Sequence, residues 1–212
     1  MVKLTKRPLP PIPITNEKHY RDGPNFTAIV EDCCGKCYIC ENDNATTLNV
    51  EHRIPHRGDE NIKYDWQNLF LSCGHCNNIK WDRYDNIIDP TQCDPEDCIA
   101  LSLTTTELIE NVLIEALIND DRVLQTVDLL GLVYNGGTTA LKDLESAHLR
   151  NMLSFSLVRF LQYIEGYRKE PELGYDAVIK KEISRSSAFA AFKRGIVRND
   201  TELFSKFESL LV

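Results

Sequence analysis

Cys37-Tyr38-Ile39-Cys40, then Val50-Glu51-His52-Arg53-Ile54-Pro55, then Cys73-Gly74-His75-Cys76-Asn77-Asn78-Ile79-Lys80: this order of short runs decides how the chain folds. Each cysteine pair is a Cys-x-x-Cys turn, which brings two sulfurs to one ion without strain. Four thiolates suit a tetrahedral structural zinc, with Zn–S bonds of about 2.3 Å. Such a site contributes on the order of 10 kcal/mol to a module too small for a large core. Cys34-Gly35-Lys36-Cys37 is also a Cys-x-x-Cys run, so Cys34 competes with Cys40 for the fourth ligand position. Cys40 is preferred, because it leads directly into the polar turn Glu41-Asn42-Asp43-Asn44 and the following strand. Cys33, Cys34, Cys93 and Cys98 are read as ordinary reduced thiols. The opening MVKLTKRPLPPIPI has no apolar leader core, and no run approaches the ~18 apolar residues of a membrane span. The expectation is a soluble cytoplasmic protein whose cysteines serve metal and form no disulfides.

Working outward, Thr46–Ile54 reads as a strand with Leu48, Val50 and Ile54 on one face, and Asn68–Ser72 as a second strand. Asn77–Tyr84 begins a helix, and Phe26–Asp32 a short one. Prolines 8, 10, 11, 13 and 24 make residues 1–30 an extended, basic, Pro-rich arm. Residues 31–90 form the zinc-bearing module, and 91–212 a helical region. There Thr104, Thr105 or Thr106 caps a helix with the stripe Leu108, Val112, Leu113, Ala116 and Leu117, and Gly131, Gly136 and Gly137 interrupt the pattern. A long helix covers Leu141–Tyr167, and shorter ones Phe189–Val197 and Leu203–Leu211. The fold class is therefore α+β.

Between the cysteine pairs lie residue types suited to phosphodiester chemistry: a histidine that titrates near neutrality, a hard carboxylate oxygen and side-chain amides. The order of these runs resembles the HNH (ββα-metal) endonuclease family. It has a first cysteine pair, an acidic residue plus His followed by an aliphatic residue and Pro, Asn-Leu at positions 68–69, and a second pair immediately followed by Asn. The resemblance implies a zinc-stapled ββα module, with Cys37, Cys40, Cys73 and Cys76 on structural Zn2+. It further implies His52 as general base, Glu51 and Asn77 as ligands of a catalytic Mg2+ or Mn2+, and Asn68 as the residue that fixes the loop holding His52. Lys80, three residues after Asn77 on the same helix face, becomes a phosphate contact. Glu51 stands where the family often has Asp, and Asn77 where many members have His. Neighbours on a regular strand point to opposite faces, so Glu51 and His52 can share a site only where the strand ends or bends, as Pro55 suggests. On its own, His52 sharing a face with Leu48 and Val50 describes a core histidine; its neighbours change that. His56 and His75 read as structural or substrate contacts, Arg53 and Arg57 as surface charges, Trp66 and Trp81 as core.

Charge is unevenly spread. The net charge is −8, from 24 basic and 32 acidic residues. Residues 1–30 and 180–198 are basic, whereas 89–145 are acidic with Arg122 and Lys142 alone opposing. A segregated map is read first as solvated faces, and otherwise as basic ends for substrate and an acidic middle for a partner. The KLTKRPLPPIP arm, the IIDP segment and the late SSAFAAFKRGIVR run, added to the core motif, look like the HNH nuclease subunit of Septu-type bacterial anti-phage systems, whose relatives serve retrons. That likeness implies an ABC-type ATPase partner and a nucleic-acid substrate, DNA ahead of RNA such as tRNA. The competing expectation is a zinc-bearing assembly subunit that is catalytically silent.

Overall fold

The computed structural model describes residues 1–105 and 110–211. Strand β1 (Leu48–His52) pairs antiparallel with β2 (Leu69–Cys73), Leu48 facing Cys73 and His52 facing Leu69. Helix α4 (Gly74–Lys80) leaves β2 with no intervening loop, because the Cys73 sulfur accepts from the Cys76 N–H and so caps it. Trp81 stops it at φ 45°, a left-handed conformation in which a bulky side chain stores strain. These three elements make the ββα module. Ahead of it come α1 (Lys18–Arg21) and α2 (Gly23–Asp32). Asp22 caps α2, and Pro24 occupies its first turn, where no backbone donor is needed. The loop between the strands holds α3 (Glu60–Lys63) and a 3-10 turn at Trp66–Asn68, capped by Asp59 and Asp65.

The proline-rich segment is extended before α1 but docked along its length. Met1 and Leu4 are buried, and the Leu4 N–H donates to the Pro90 carbonyl at 2.8 Å. The Lys6 ammonium donates to the carbonyls of Trp66 and Leu69, and burial pushes its pKa down to about 8. Arg7 is paired with Asp32 at 2.9 Å and Glu31 at 2.8 Å. Lys6 is therefore held within the fold, while Arg7 stays partly exposed on the carboxylates of α2.

The second half departs from expectation at its start. Strands β3 (Ile99–Thr105) and β4 (Glu110–Ala116) form an antiparallel hairpin where the sequence suggested a capped helix. Thr106 and Leu108 lie outside the described residues. Val112 and Ile114 turn inward while Asn111 and Glu115 alternate with them, which is the period of a strand. The Asn135 side chain secures this edge, accepting from the Val112 N–H and donating to its carbonyl, both at 2.9 Å. Asn135 ends α5 (Asp121–Asn135), which runs straight through Gly131 and stops at Gly136 with φ 79°. Then come α6 (Ala140–Lys169, capped by Thr139), α7 (Tyr175–Glu182), α8 (Ala190–Arg198) and α9 (Thr201–Phe207). One apolar cluster joins both halves, with Ile29, Leu71 and Ile79 in the same core as Leu130, Val133, Leu153 and Phe192. Each such side chain contributes about 1.5–3 kcal/mol on burial. A smaller cluster, with Phe160, Ile179, Val197 and Phe207, closes α6 to α9.

The charge segregation resolves into internal pairing. Arg185 meets Asp94 at 2.6 Å, and Glu96 takes Arg194 and Arg198, each at 2.7 Å. Lys193 pairs with Glu182. Four cations of the late segment, Arg185, Lys193, Arg194 and Arg198, are thus paired with carboxylates of this chain. Among the described residues, no helix is long and apolar enough to cross a membrane.

Candidate functional site

Cys37, Cys40, Cys73 and Cys76 converge with all four sulfurs within 4.8 Å of one another, and Cys40 lies 3.9 Å from Cys73. Tetrahedral Zn–S bonds of about 2.3 Å place sulfurs about 3.8 Å apart, so the set fits zinc. All four are buried and none forms a disulfide. Cys34 is exposed at φ 55° and stays outside the cluster, which settles the fourth ligand as Cys40. The turn carrying the first pair is closed by the Glu41 N–H on the Cys37 carbonyl at 2.8 Å. The second pair opens helix α4, where the partial positive charge of the helix start favours thiolate. Crowding drives the thiols apart in acidity: Cys37 is held well below the ordinary range while Cys40 and Cys76 are pushed up. Cys33, by contrast, is a plain buried thiol, pushed up to about 12 by burial.

Beside the zinc cluster an open groove of about 470 Å³ is lined by His52, Glu51, Asn77, His56, Arg57 and Trp81, with Arg21 from α1. His52 ends β1. Its Nε2 lies 3.0 Å from the Lys63 carbonyl. A carbonyl only accepts, so in the neutral ring Nε2 carries the proton and Nδ1 the lone pair. Among the described residues Nδ1 makes no hydrogen bond. Burial pushes the His52 pKa below its ordinary value; the bond to Lys63 opposes this, and His56, its ring 4.8 Å away, adds to it. The neutral, proton-accepting form therefore dominates at pH 7.

Asn68 ties this corner together. Its Oδ1 accepts from the Ile54 N–H at 2.7 Å, and its Nδ2 donates to the carbonyls of Ile54 and Ile62 at 2.9 and 3.2 Å. Ile54, two residues past β1, is thereby locked to α3, whose last carbonyl holds His52. Asn77, half-buried on α4, offers its side-chain amide to the groove and has no hydrogen-bond partner among the described residues.

Glu51 and Lys80 are placed otherwise than the spacing suggested. Lys80 is fully buried, 2.6 Å from Glu51 Oε1 and donating to the His52 carbonyl at 2.9 Å. It cannot reach a phosphate in the groove. Helical spacing put it beside Asn77, but α4 packs that face onto β1. Glu51 lines the groove yet is 5% exposed; its Oε2 is buried without a hydrogen-bond partner. Burial raises its pKa, with Lys80 opposing. Tyr38, buried beside it, is held un-ionised by burial and by the carboxylate. A carboxylate and an unengaged amide lining one groove are oxygen donors of the kind that a hard divalent cation takes.

The remaining expectations divide. His75 is structural, bound to Glu145 and the Val133 carbonyl, both at 2.8 Å. Trp66 is core. Arg53 is no surface charge: it pairs with Asp89 at 3.2 Å and donates to the Ile87 carbonyl. Arg57 is exposed and grips Asp85 with both Nη atoms and the Asp82 carbonyl with Nη2. Trp81 overturns its reading as core, being 68% exposed at the groove. Arg21 left no signal in the sequence, since its place depends on how α1 docks.

Residues 34–83 match the family described as HNH endonuclease. No curated protein and no solved structure matches the chain.

Proposed function

We propose that the HNH segment hydrolyses phosphodiester bonds of nucleic acid, with DNA as the first substrate and His52 as general base. The observation that carries this reading is the tethered imidazole: Lys63 holds Nε2–H, and the Nδ1 lone pair is unengaged at an open groove. Nδ1 takes a proton as the water oxygen bonds to phosphorus and the opposite P–O bond breaks. Glu51 Oε2 and the Asn77 amide would hold Mg2+ or Mn2+, which supplies charge neutralisation at the phosphate and leaving oxygen. Asn68 acts at one remove, fixing the loop that sets His52. Lys80 binds Oε1 of Glu51 and leaves Oε2 to the ion.

The test is cleavage of plasmid DNA and of tRNA with each divalent ion, by wild type and His52→Ala. Loss of about 10²–10⁴ in rate with unfolding unchanged is expected. Undiminished cleavage by the variant removes His52 as the base. A folded wild type that cuts neither substrate leaves a silent zinc scaffold, and cleavage of tRNA alone makes the target RNA.

The reading extends to a partner. In it the chain is the cutting subunit of a cytoplasmic, bacterial anti-phage complex, with residues 31–90 as nuclease and 91–212 docking an ABC-type ATPase. The Septu-like runs support this, as do the net charge of −8, which disfavours an acidic polymer, and the pairing of Lys6, Arg7, Arg194 and Arg198 with groups of this chain. Exposed Phe155, Val158 and Leu161 on α6 offer an apolar face. Co-purification with an ATPase, and cleavage that needs it, is the expected result.

A further inference from the structure

Trp81 has no role in the chemistry above, yet its position is costly. A tryptophan leaves most of its apolar surface in water only where something else is to cover it. Its backbone sits at φ 45°, and its N–H is spent on the Asn77 carbonyl at 2.9 Å, closing α4. Next to it, Arg57 takes the Asp82 carbonyl and both oxygens of Asp85, tying the 81–85 loop to the Pro55–Gly58 turn. The indole is thus carried on a fixed backbone while its ring stays free. It lines the same groove as His52 and Asn77, one helical turn beyond Asn77. Arg21, 62% exposed in its side chain and paired with Glu17 at 3.1 Å, shares that groove with His56, and the carboxylates of Glu51 and Asp82 line it as well.

An exposed flat aromatic stacks on bases, and every base offers a π face. Inside a duplex both faces of each base are already covered, so the partner must be a base out of the stack. Resting on the nuclease reading, we propose that Trp81 is a stacking platform for an unpaired nucleobase beside the scissile phosphate. This makes single-stranded or locally melted nucleic acid the preferred substrate of this groove.

The chain has two tryptophans, and Trp66 is 5% exposed, so quenching of emission by an oligonucleotide reports mainly on Trp81. The experiment titrates full-length protein, without added divalent ion, with a short single-stranded oligonucleotide, the same strand in duplex, and the same strand with one abasic position. Wild type is expected to bind the single strand with quenching. Trp81→Ala should raise its Kd about tenfold, with less than a twofold change for duplex, and Trp81→Phe should keep Kd within about threefold while losing the quench. An abasic site should weaken wild type as much as Trp81→Ala does and leave the variant unchanged. Equal Kd for wild type and Trp81→Ala on the single strand overturns the proposal, as does absence of binding by wild type. Cleavage by wild type that is unaltered in Trp81→Ala would sink the platform and spare the nuclease. Base-dependent stacking without cleavage under any divalent ion would do the reverse.

Discussion

Replacing Lys80 with methionine keeps the side-chain length and removes one buried charge. The structure fixes what is lost: the 2.6 Å pair with Glu51 and the 2.9 Å bond to the His52 carbonyl. Glu51 and Lys80 are both buried, and without Lys80 the carboxylate keeps the neighbouring Tyr38 hydroxyl but loses the cation paired with it. Breaking a buried pair from one side costs about 3–5 kcal/mol. At about 2–4 °C per kcal/mol for a chain of this size, the Tm falls by roughly 6–20 °C. The pH dependence has a definite sign. Burial holds the Glu51 carboxyl above its ordinary value near 4.5. A raised carboxyl contributes stability that is full below the unfolded value and lost as pH climbs past the folded one. Without Lys80 that folded value moves further up, so the deficit shrinks toward pH 5 and widens toward pH 8. The assay is urea unfolding of Lys80→Met against wild type at pH 5 and pH 8, with the Glu51→Gln/Lys80→Met double variant alongside. Removing the carboxylate as well should recover more than half of the loss. A deficit under about 1 kcal/mol at pH 8, or one independent of pH, would refute the reasoning. If Glu51 also binds the divalent ion, Mg2+ should stabilise Lys80→Met more than wild type.

Cleavage by wild type should rise along a limb set below the ordinary histidine value of 6.5 and be flat above pH 7, since burial favours neutral His52; a pH–rate profile with its limb above 7 contradicts this. Metal analysis should find one zinc per chain, and Cys73→Ser or a strong chelator should unfold the module, removing on the order of 10 kcal/mol; circular dichroism unchanged by chelation would count against a structural ion. Glu96→Gln should cost about 3–5 kcal/mol in urea unfolding, because Arg194 would stay buried without its carboxylate; a loss below 1 kcal/mol would show that the pair carries little.

The cysteine cluster was legible because its geometry is local: two Cys-x-x-Cys turns bring their own sulfurs together, and the runs between them, one alternating and one continuously apolar, read as strands. The Ile99–Ala116 hairpin was not. Val112, Leu113, Ala116 and Leu117 satisfy a helical stripe as well as a strand, and the bonds that chose the strand come from Asn135, far along the chain. Lys80 shows the same limit at the site. Its period gave the helix face correctly, but whether that face met water or Glu51 depended on how α4 packs against β1.

Sequence alone determined the four thiolates, the order Glu51, His52, Asn68, Asn77 and the α+β class, since these follow from chemistry and spacing within about one module. Tertiary structure decided which charges are free. Asp94 and Glu96 meet Arg185, Arg194 and Arg198 across some ninety to a hundred residues, and the basic arm is consumed by Trp66, Leu69 and Asp32. Burial makes such pairing compulsory, because an unpaired charge in the interior costs more than any local preference can supply. The same packing left one tryptophan outside, where the linear pattern had placed it in the core.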